Sequence, residues 1–346
     1  MKAQVAPLPL DLKHVFRIAH GASTRRTNAL LRLGTGFGEA ALPPYYPTSL
    51  EDVSDWIASQ SDWIEDVIIQ KDIPISSHLD RVPDGPSPAI AALDMALHDI
   101  WGQRLGSPLY KLFGLDPQHI PVSSYALPIP ADLDELDAFL EGARGFPFLK
   151  LKIGSGNTDF DEAIVRRTRE RFSGRLCVDV NSGWTIDTAV SMIQRLSKCD
   201  LDFVEQPIPS DDIDDWHLLR RLLPSESPKL IADESVQDEN DIIALAGAAD
   251  GINIKLAKCG GLHPARKMIA VARSLDLSVM LGCMIESSVA LTAAAHIAAL
   301  VDFLDLDGQM HLAADPFTGI GFDRGWITLP DLPGLGVSPV IDLMSL

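Results

Sequence analysis

A chain of 346 residues, 46% of them hydrophobic, can bury a large core and exceeds the usual size of one domain, which allows a barrel with a smaller partner domain. The formal net charge of −19 argues against nucleic acid or an anionic membrane surface as a partner. No charge-free apolar stretch approaches the length of a membrane span, and the opening MKAQVAPLPLDLKHVF has no sustained apolar run, so neither a transmembrane helix nor a signal peptide is expected.

Residues 1–42 mix short apolar runs with polar breaks and turn glycines (Gly34, Gly36, Gly38), which predicts two or three antiparallel strands. From Ser49 to Lys71 the apolar residues Leu50, Val53, Ile57, Ile64, Val67 and Ile68 follow a helical period, which predicts one helix. A second helix is predicted from about Pro88 to Leu105, with Gly106 past its end. Residues 1–118 therefore read as an α+β domain. From Ile120 eight short apolar runs alternate with helical stretches, which predicts a parallel β/α barrel over 119–314. The tail, 315–346, is rich in Gly and Pro and is expected to pack back on the N-terminal domain. Cys177, Cys199, Cys259 and Cys283 are dispersed, with no zinc or disulfide spacing, and read as small buried hydrophobes in a reducing, cytoplasmic setting.

Within the predicted barrel, Lys152, Asp179, Glu205, Asp233 and Lys255 each end an apolar run, at gaps of 27, 26, 28 and 22 residues. One strand, one helix and two loops occupy about that length, so each charge falls at the carboxyl end of a strand, where barrel side chains converge. Any single acid of this set could be a strand-end helix cap. Three in phase suit a hard divalent cation with open positions, Mg²⁺ rather than Zn²⁺. Lys150 and Lys152 share a strand face, and their mutual repulsion is expected to lower the pKa of Lys152 toward that of a base. Asp305 and Asp307 likewise share a face and add two negative charges, which suits a substrate carrying a cation as well as an anion; the bland alternative is an Asp pair capping a turn. Gly260-Gly261 reads as a tight turn before a helix, with a phosphate cradle as the lesser alternative.

The segments KLK, DVNSGW, FVEQP, ADES and INIKLAKCGG, in this order, resemble the enolase superfamily, within its muconate lactonising subgroup. The helix ALDMALHDIWGQRLGSPLYKLFG is similar to that subgroup's cap-domain hallmark. The resemblance implies an α+β capping domain over a (β/α)₇β barrel. It implies Asp179, Glu205 and Asp233 as ligands of one Mg²⁺, Lys152 and Lys255 as catalytic groups on opposite faces of the substrate, and Lys150 as the partner that tunes Lys152. The handling of an α-proton by a Lys base beside Mg²⁺ is a known pattern of enolase-type sites. Bases on both faces give epimerisation through an enediolate, whereas a single effective base gives elimination or ring closure. Asp305-Leu306-Asp307 resembles the Asp-x-Asp of dipeptide epimerases, which holds the free α-ammonium of the N-terminal residue. Glu286, in GCMIESS, is expected near Lys255 as a charge partner. Arg25 and Arg26 lie in the cap segment that would set side-chain preference, and are candidates to pair with an acidic substrate side chain. Glu-specific members carry an arginine where this chain has Gly21, which leaves the side chain open. Homo-oligomers are common in the family resembled, and one is expected here.

The sequence thus favours a Mg²⁺-dependent dipeptide epimerase acting on the α-carbon of the C-terminal residue. A cycloisomerase, an o-succinylbenzoate synthase or an N-acylamino acid racemase on the same scaffold is the alternative, and a non-catalytic binding protein that inherited the fold is a third.

Overall fold

The computed structural model describes residues 3–69, 74–209 and 213–340. Three antiparallel strands open the chain, β1 (Ala3–Ile18), β2 (Gly21–Leu33) and β3 (Gly36–Ala40), in that spatial order. Helices α1 (Leu50–Ser59), α2 (Ser61–Ile69), α3 (Ile75–Leu79), α4 (Ser87–Leu105) and α5 (Leu109–Leu112) follow. The single helix predicted from Ser49 is thus two among the described residues, and positions 70 and 71 lie outside them. Ser49 and Asp52 form a reciprocal capping box that starts α1, and the chain breaks at Gln60, whose N–H bonds back to Trp56 and Ile57. On α4, Pro88 in the first turn and Gly106 at φ 63° mark the ends the sequence predicted. The alanine face of α4 lets β3 approach closely: a Cβ on Gly38 would stand 1.8 Å from the Ala92 carbonyl oxygen, so only glycine fits there.

Eight parallel strands come next, each feeding a helix until the last: β4 (Tyr125–Leu127), α6 (Leu133–Gly142), β5 (Phe148–Lys152), α7 (Thr158–Arg171), β6 (Arg175–Asp179), α8 (Ile186–Arg195), β7 (Phe203–Glu205), α9 (Ile213–Leu222), β8 (Lys229–Ala232), α10 (Glu239–Leu245), β9 (Gly251–Ile254), α11 (Leu256–Cys259) with α12 (Leu262–Ser274), β10 (Ser278–Gly282), α13 (Ser288–Ala295) and β11 (Phe303–Asp305). Their spatial order is their chain order. A parallel bridge from Ser123 to Leu304, with the Ser124 N–H on the Leu304 carbonyl, brings the first strand to the last and closes the ring. After β11 a 3₁₀ turn, Gly308–His311, replaces an eighth helix, so the architecture is (β/α)₇β as predicted.

The tail adds β12 (Phe317–Thr318), β13 (Gly321–Asp323), β14 (Trp326–Thr328) and β15 (Ser338–Pro339). It returns to the N-terminal helices: Gly334 bridges Pro108, and the Leu335 N–H donates to Asp99 on α4. Residues 341–346 of the predicted tail lie outside the described ones. β1 also reaches the barrel mouth, through the Leu12–Leu312 bridge and the Ala313 N–H on the Asp11 carbonyl.

Candidate active site

The strand period builds the site in layers. Phe148, Cys177, Phe203, Ile231, Met280 and Phe303 form one buried apolar cluster inside the ring. Two residues further along five of these strands stand Lys150, Asp179, Glu205, Asp233 and Asp305, on the same inward face one step closer to the mouth. On β10 the corresponding residue is Gly282, where a Cβ would lie 2.8 Å from the Asn253 amide; the missing side chain leaves room for that amide. The charged layer therefore rests on a dry floor, which strengthens each electrostatic interaction above it.

Asp179, Glu205 and Asp233 are buried, and one carboxylate oxygen from each lies within 4.8 Å of the other two. Their loops are fixed by Gln206, held at φ 37°. Its Oε1 accepts from the Asp233 and Ser235 N–H groups, and its Nε2 donates to Ile208 O and Ser235 Oγ. Glu205 Oε1 accepts from Asn253 at 2.8 Å, whereas Oε2 lies 2.7 Å from Lys150 Nζ with no N–H aligned on it. Burial, then the charges of Asp179 and Asp233, push the Glu205 carboxyl up to about 8. Burial opposes the charge of Asp179 as well, but Lys152 and Lys150 hold it down at about 2. Asp233 is held low against burial by Lys255 and Lys258. An under-bonded oxygen among three converging buried carboxylates is the donor set a hard divalent cation requires, so the three could hold Mg²⁺.

Lys152 donates to Asp179 Oδ2 at 2.5 Å and Lys255 to Asp233 Oδ2 at 2.7 Å. Their strands, β5 and the end of β9, are four places apart in a ring of eight, hence across the barrel from one another, with the three acid-bearing strands between them. The expected lowering of Lys152 by Lys150 is corrected. Burial, the largest effect, pulls Lys152 down, and Lys150 and Lys255 do so too, yet the carboxylates around it, Asp179 foremost and Glu205 with it, act the other way and the net shift is upward. Lys150 is itself raised against burial, because it touches three carboxylates: Asp305 at 2.8 Å, Glu205 at 2.7 Å and Asp179 at 3.2 Å. It is a charge bridge beneath the acids.

Asp305 and Asp307 line the same cavity as Lys152 and Lys255. Asp305 is engaged on both oxygens, by Ser124 Oγ at 2.5 Å and by Lys150. On Asp307, Oδ2 accepts the Ala126 N–H at 2.6 Å and meets His311 Nε2 at 3.0 Å, while Oδ1 has no hydrogen bond among the described residues. The pair is thus unequal: Asp307 offers the open oxygen.

Two further expectations change, and one lesser alternative falls away. Glu286 feels the charge of Lys255 but makes no ion pair with it among the described residues; it accepts the Met284 N–H, and burial followed by the charge of Glu39 pushes it up to about 8. Arg25 faces outward and forms a two-point pair with Asp11 on β1, at 2.6 and 2.9 Å. Arg26, one residue on, lines the cavity. No phosphate cradle exists at Gly260-Gly261, because Asp94 from α4 already caps α12, accepting the Leu262 and His263 N–H groups at 2.7 and 3.1 Å. Sequence reasoning missed Asn253, Lys258, Ser124 and His311. Asn253 stands two residues before Lys255 on one strand, and His311 four after Asp307, so both spacings were visible. Lys258, in the INIKLAKCGG segment, donates to the Asp233 carbonyl and to its Oδ1 at 2.6 Å.

A (β/α)₇β ring with acids on three successive strands and lysines on either side of them defines a class of barrel enzymes, and the chain matches that class directly. Residues 14–114 match the N-terminal domain of the mandelate racemase / muconate lactonizing enzyme family, and residues 135–342 match the enolase C-terminal domain-like family. The chain belongs to this family. An L-Ala-D/L-Glu epimerase of Bacteroides thetaiotaomicron is 36% identical, over 98% of this chain and 88% of that protein. A hydrophobic dipeptide epimerase of Roseobacter litoralis is 40% identical over 72% of each chain. The crystal structure of a dipeptide epimerase from Cytophaga hutchinsonii, complexed with Mg and the dipeptide D-Ala-L-Val, superposes with a TM-score of 0.87 at 27% identity, covering 99% of this chain and 96% of that one.

Proposed function

We propose that the protein is a Mg²⁺-dependent dipeptide epimerase that inverts the α-carbon of the C-terminal residue. One observation carries this reading: Lys152 and Lys255 face a single cavity from opposite strands, and Asp305 and Asp307 line that same cavity. Relatives named for dipeptide epimerisation support it.

In this reading Asp179, Glu205 and Asp233 would hold Mg²⁺, which would supply positive charge against the negative charge that loss of the α-proton creates. One lysine, as the free amine, takes the α-proton from its face; the other, as the ammonium, returns a proton to the opposite face. Lys150 and Lys258 hold the acids in place from below and beside. Asp307 Oδ1 receives the substrate's α-ammonium, with Asp305 adding charge behind it. The floor of apolar side chains keeps bulk water from the exchange. A cap (1–118), a barrel (119–314) and a returning segment (315–346), a cytoplasmic setting and a homo-oligomer complete the reading. All four thiols are free, and no helix among the described residues is long and apolar enough to cross a membrane.

The test is a screen of L,L-dipeptides in D₂O with Mg²⁺, read by mass spectrometry. A gain of one deuterium with appearance of the epimer is expected. If no dipeptide exchanges its α-proton, the reading fails.

A further inference from the structure

The carboxylate assigned to the ammonium is itself held in place. His311 ends the 3₁₀ turn that follows Asp307, and the Met310 N–H on the Asp307 carbonyl, at 2.8 Å, closes that turn. His311 Nε2 lies 3.0 Å from Asp307 Oδ2, which also accepts the Ala126 N–H at 2.6 Å. A carboxylate oxygen has no proton to give, so Nε2 carries the hydrogen and donates, whether the ring is neutral or charged. Two donors on Oδ2 leave Oδ1 as the free acceptor, on a residue that lines the substrate cavity.

The imidazole is in turn fixed by the barrel and by the N-terminal sheet. It stacks on Tyr125 of β4, with centroids 5.4 Å apart and planes 6° from parallel, and Tyr125 stacks on Phe146 at 4.3 Å. Phe16 of β1 meets the imidazole edge to face at 4.7 Å. The backbone around the ring is tied to the same strand. Lys13 Nζ donates to the Met310 carbonyl at 2.9 Å, Leu12 bridges Leu312, and the Ala313 N–H bonds to the Asp11 carbonyl at 2.8 Å. Phe16 and His311 line both the substrate cavity and a second cavity of about 200 Å³ between β1, β4 and α6, so their rings form the partition. Any aromatic ring would fill this clamp. Only a donor at the Nε2 position also holds Asp307.

Resting on the dipeptide reading above, we infer that His311 is a positioning residue: its Nε2–H holds Asp307 so that Oδ1 meets the substrate's ammonium, and it acts on the reaction through that carboxylate alone.

The experiment uses the Mg²⁺-loaded enzyme and the L,L-dipeptide that exchanges its α-proton fastest in the screen above. The desamino counterpart of that dipeptide, with hydrogen in place of the ammonium, serves as a competitive inhibitor. His311→Phe keeps the stack and removes the donor, whereas His311→Gln keeps a donor at the Nε2 position and removes the ring. In His311→Phe the KM of the dipeptide should rise about 10- to 100-fold with kcat little changed, the span for a hydrogen bond to a charged group that serves binding. The inhibition constant of the desamino compound should stay at the native value. In His311→Gln the KM should return to near native. Asp307→Asn and the double variant Asp307→Asn/His311→Phe should be equally impaired, because the second change then removes a donor from a carboxylate no longer there. If the ring serves packing alone, the order reverses: His311→Phe stays near native and His311→Gln fails on dipeptide and inhibitor alike. That result overturns the inference and leaves the epimerase reading standing, as does a double variant whose two losses multiply. Should His311→Phe not fold, His311→Leu carries the same comparison. If no dipeptide exchanges at all, the epimerase reading falls and the inference falls with it.

Discussion

In the proposed reaction Lys152 and Lys255 share the work between two faces, so replacing them should give unequal and complementary defects. Lys152→Ala and Lys255→Ala should each lower epimerisation by about 10²- to 10⁴-fold, the usual span for a positioned acid or base. Each variant should still wash out the α-proton of the one epimer whose hydrogen faces the surviving amine. Chiral chromatography and deuterium uptake on the L,L and L,D substrates separate the two. Asp307→Asn removes the open oxygen without changing shape, and should reduce kcat/KM on dipeptides by about 10- to 100-fold, more than Asp305→Asn, whose carboxylate is already satisfied by Ser124 and Lys150. Steady-state kinetics on both single variants and on the double variant checks the order. An N-acylamino acid racemase, which has no ammonium to seat, would be indifferent to the double change.

At the level of elements, the barrel and its charges were legible because period 2 writes them plainly. An inward apolar residue followed two places later by a charge occurs at Phe148-Lys150, Cys177-Asp179, Phe203-Glu205, Ile231-Asp233 and Phe303-Asp305. What the pattern could not tell was which charge each would meet. Lys150 looked like a repulsive neighbour of Lys152, and only the closing of the ring brings Asp305, 155 residues away, to within 2.8 Å of it. The break of the first long helix at Gln60 was hidden because apolar spacing continues across it. The turn before α12 was legible at Gly260-Gly261, but its cap was not: Asp94 lies 168 residues upstream on α4, and no local motif announces it. Asp94→Ala should destabilise the protein by about 0.5–2 kcal/mol, the usual cost of losing a helix N-cap. Gly261→Ala should do so too, since a Cβ there falls 2.5 Å from the Asp94 side chain at φ 112°. Thermal unfolding of both variants is the measurement.

For the whole molecule, the crowding of acids sets a dependence on pH and metal. Glu205 and Glu286 are each held up to about 8, from an ordinary value of 4.5. Between those limits the folded chain keeps protons that the unfolded chain releases. The sign follows: with metal chelated away, stability is greatest near pH 5 and declines as the pH rises to 8. Mg²⁺ should reverse the decline, because at the proposed site it would bind the ionised Glu205, and the increment in Tm from Mg²⁺ should widen from pH 6 to pH 8.5. Calorimetry in buffers of different ionisation enthalpy should register proton release on Mg²⁺ binding at pH 7. A flat Tm across this range in EDTA would contradict the assignment of the raised carboxyls.

The apolar plug of Phe148, Phe203, Phe303 and their neighbours has a kinetic corollary. It fills the ring beneath the charged layer, so reactant and epimer are expected to enter and leave on the side of the mouth. Two molecules alike in everything but the hand of one carbon then compete for the same seat. Net flux through such an enzyme is governed by whatever removes one hand from solution, and left alone it drifts to a near-even mixture of both.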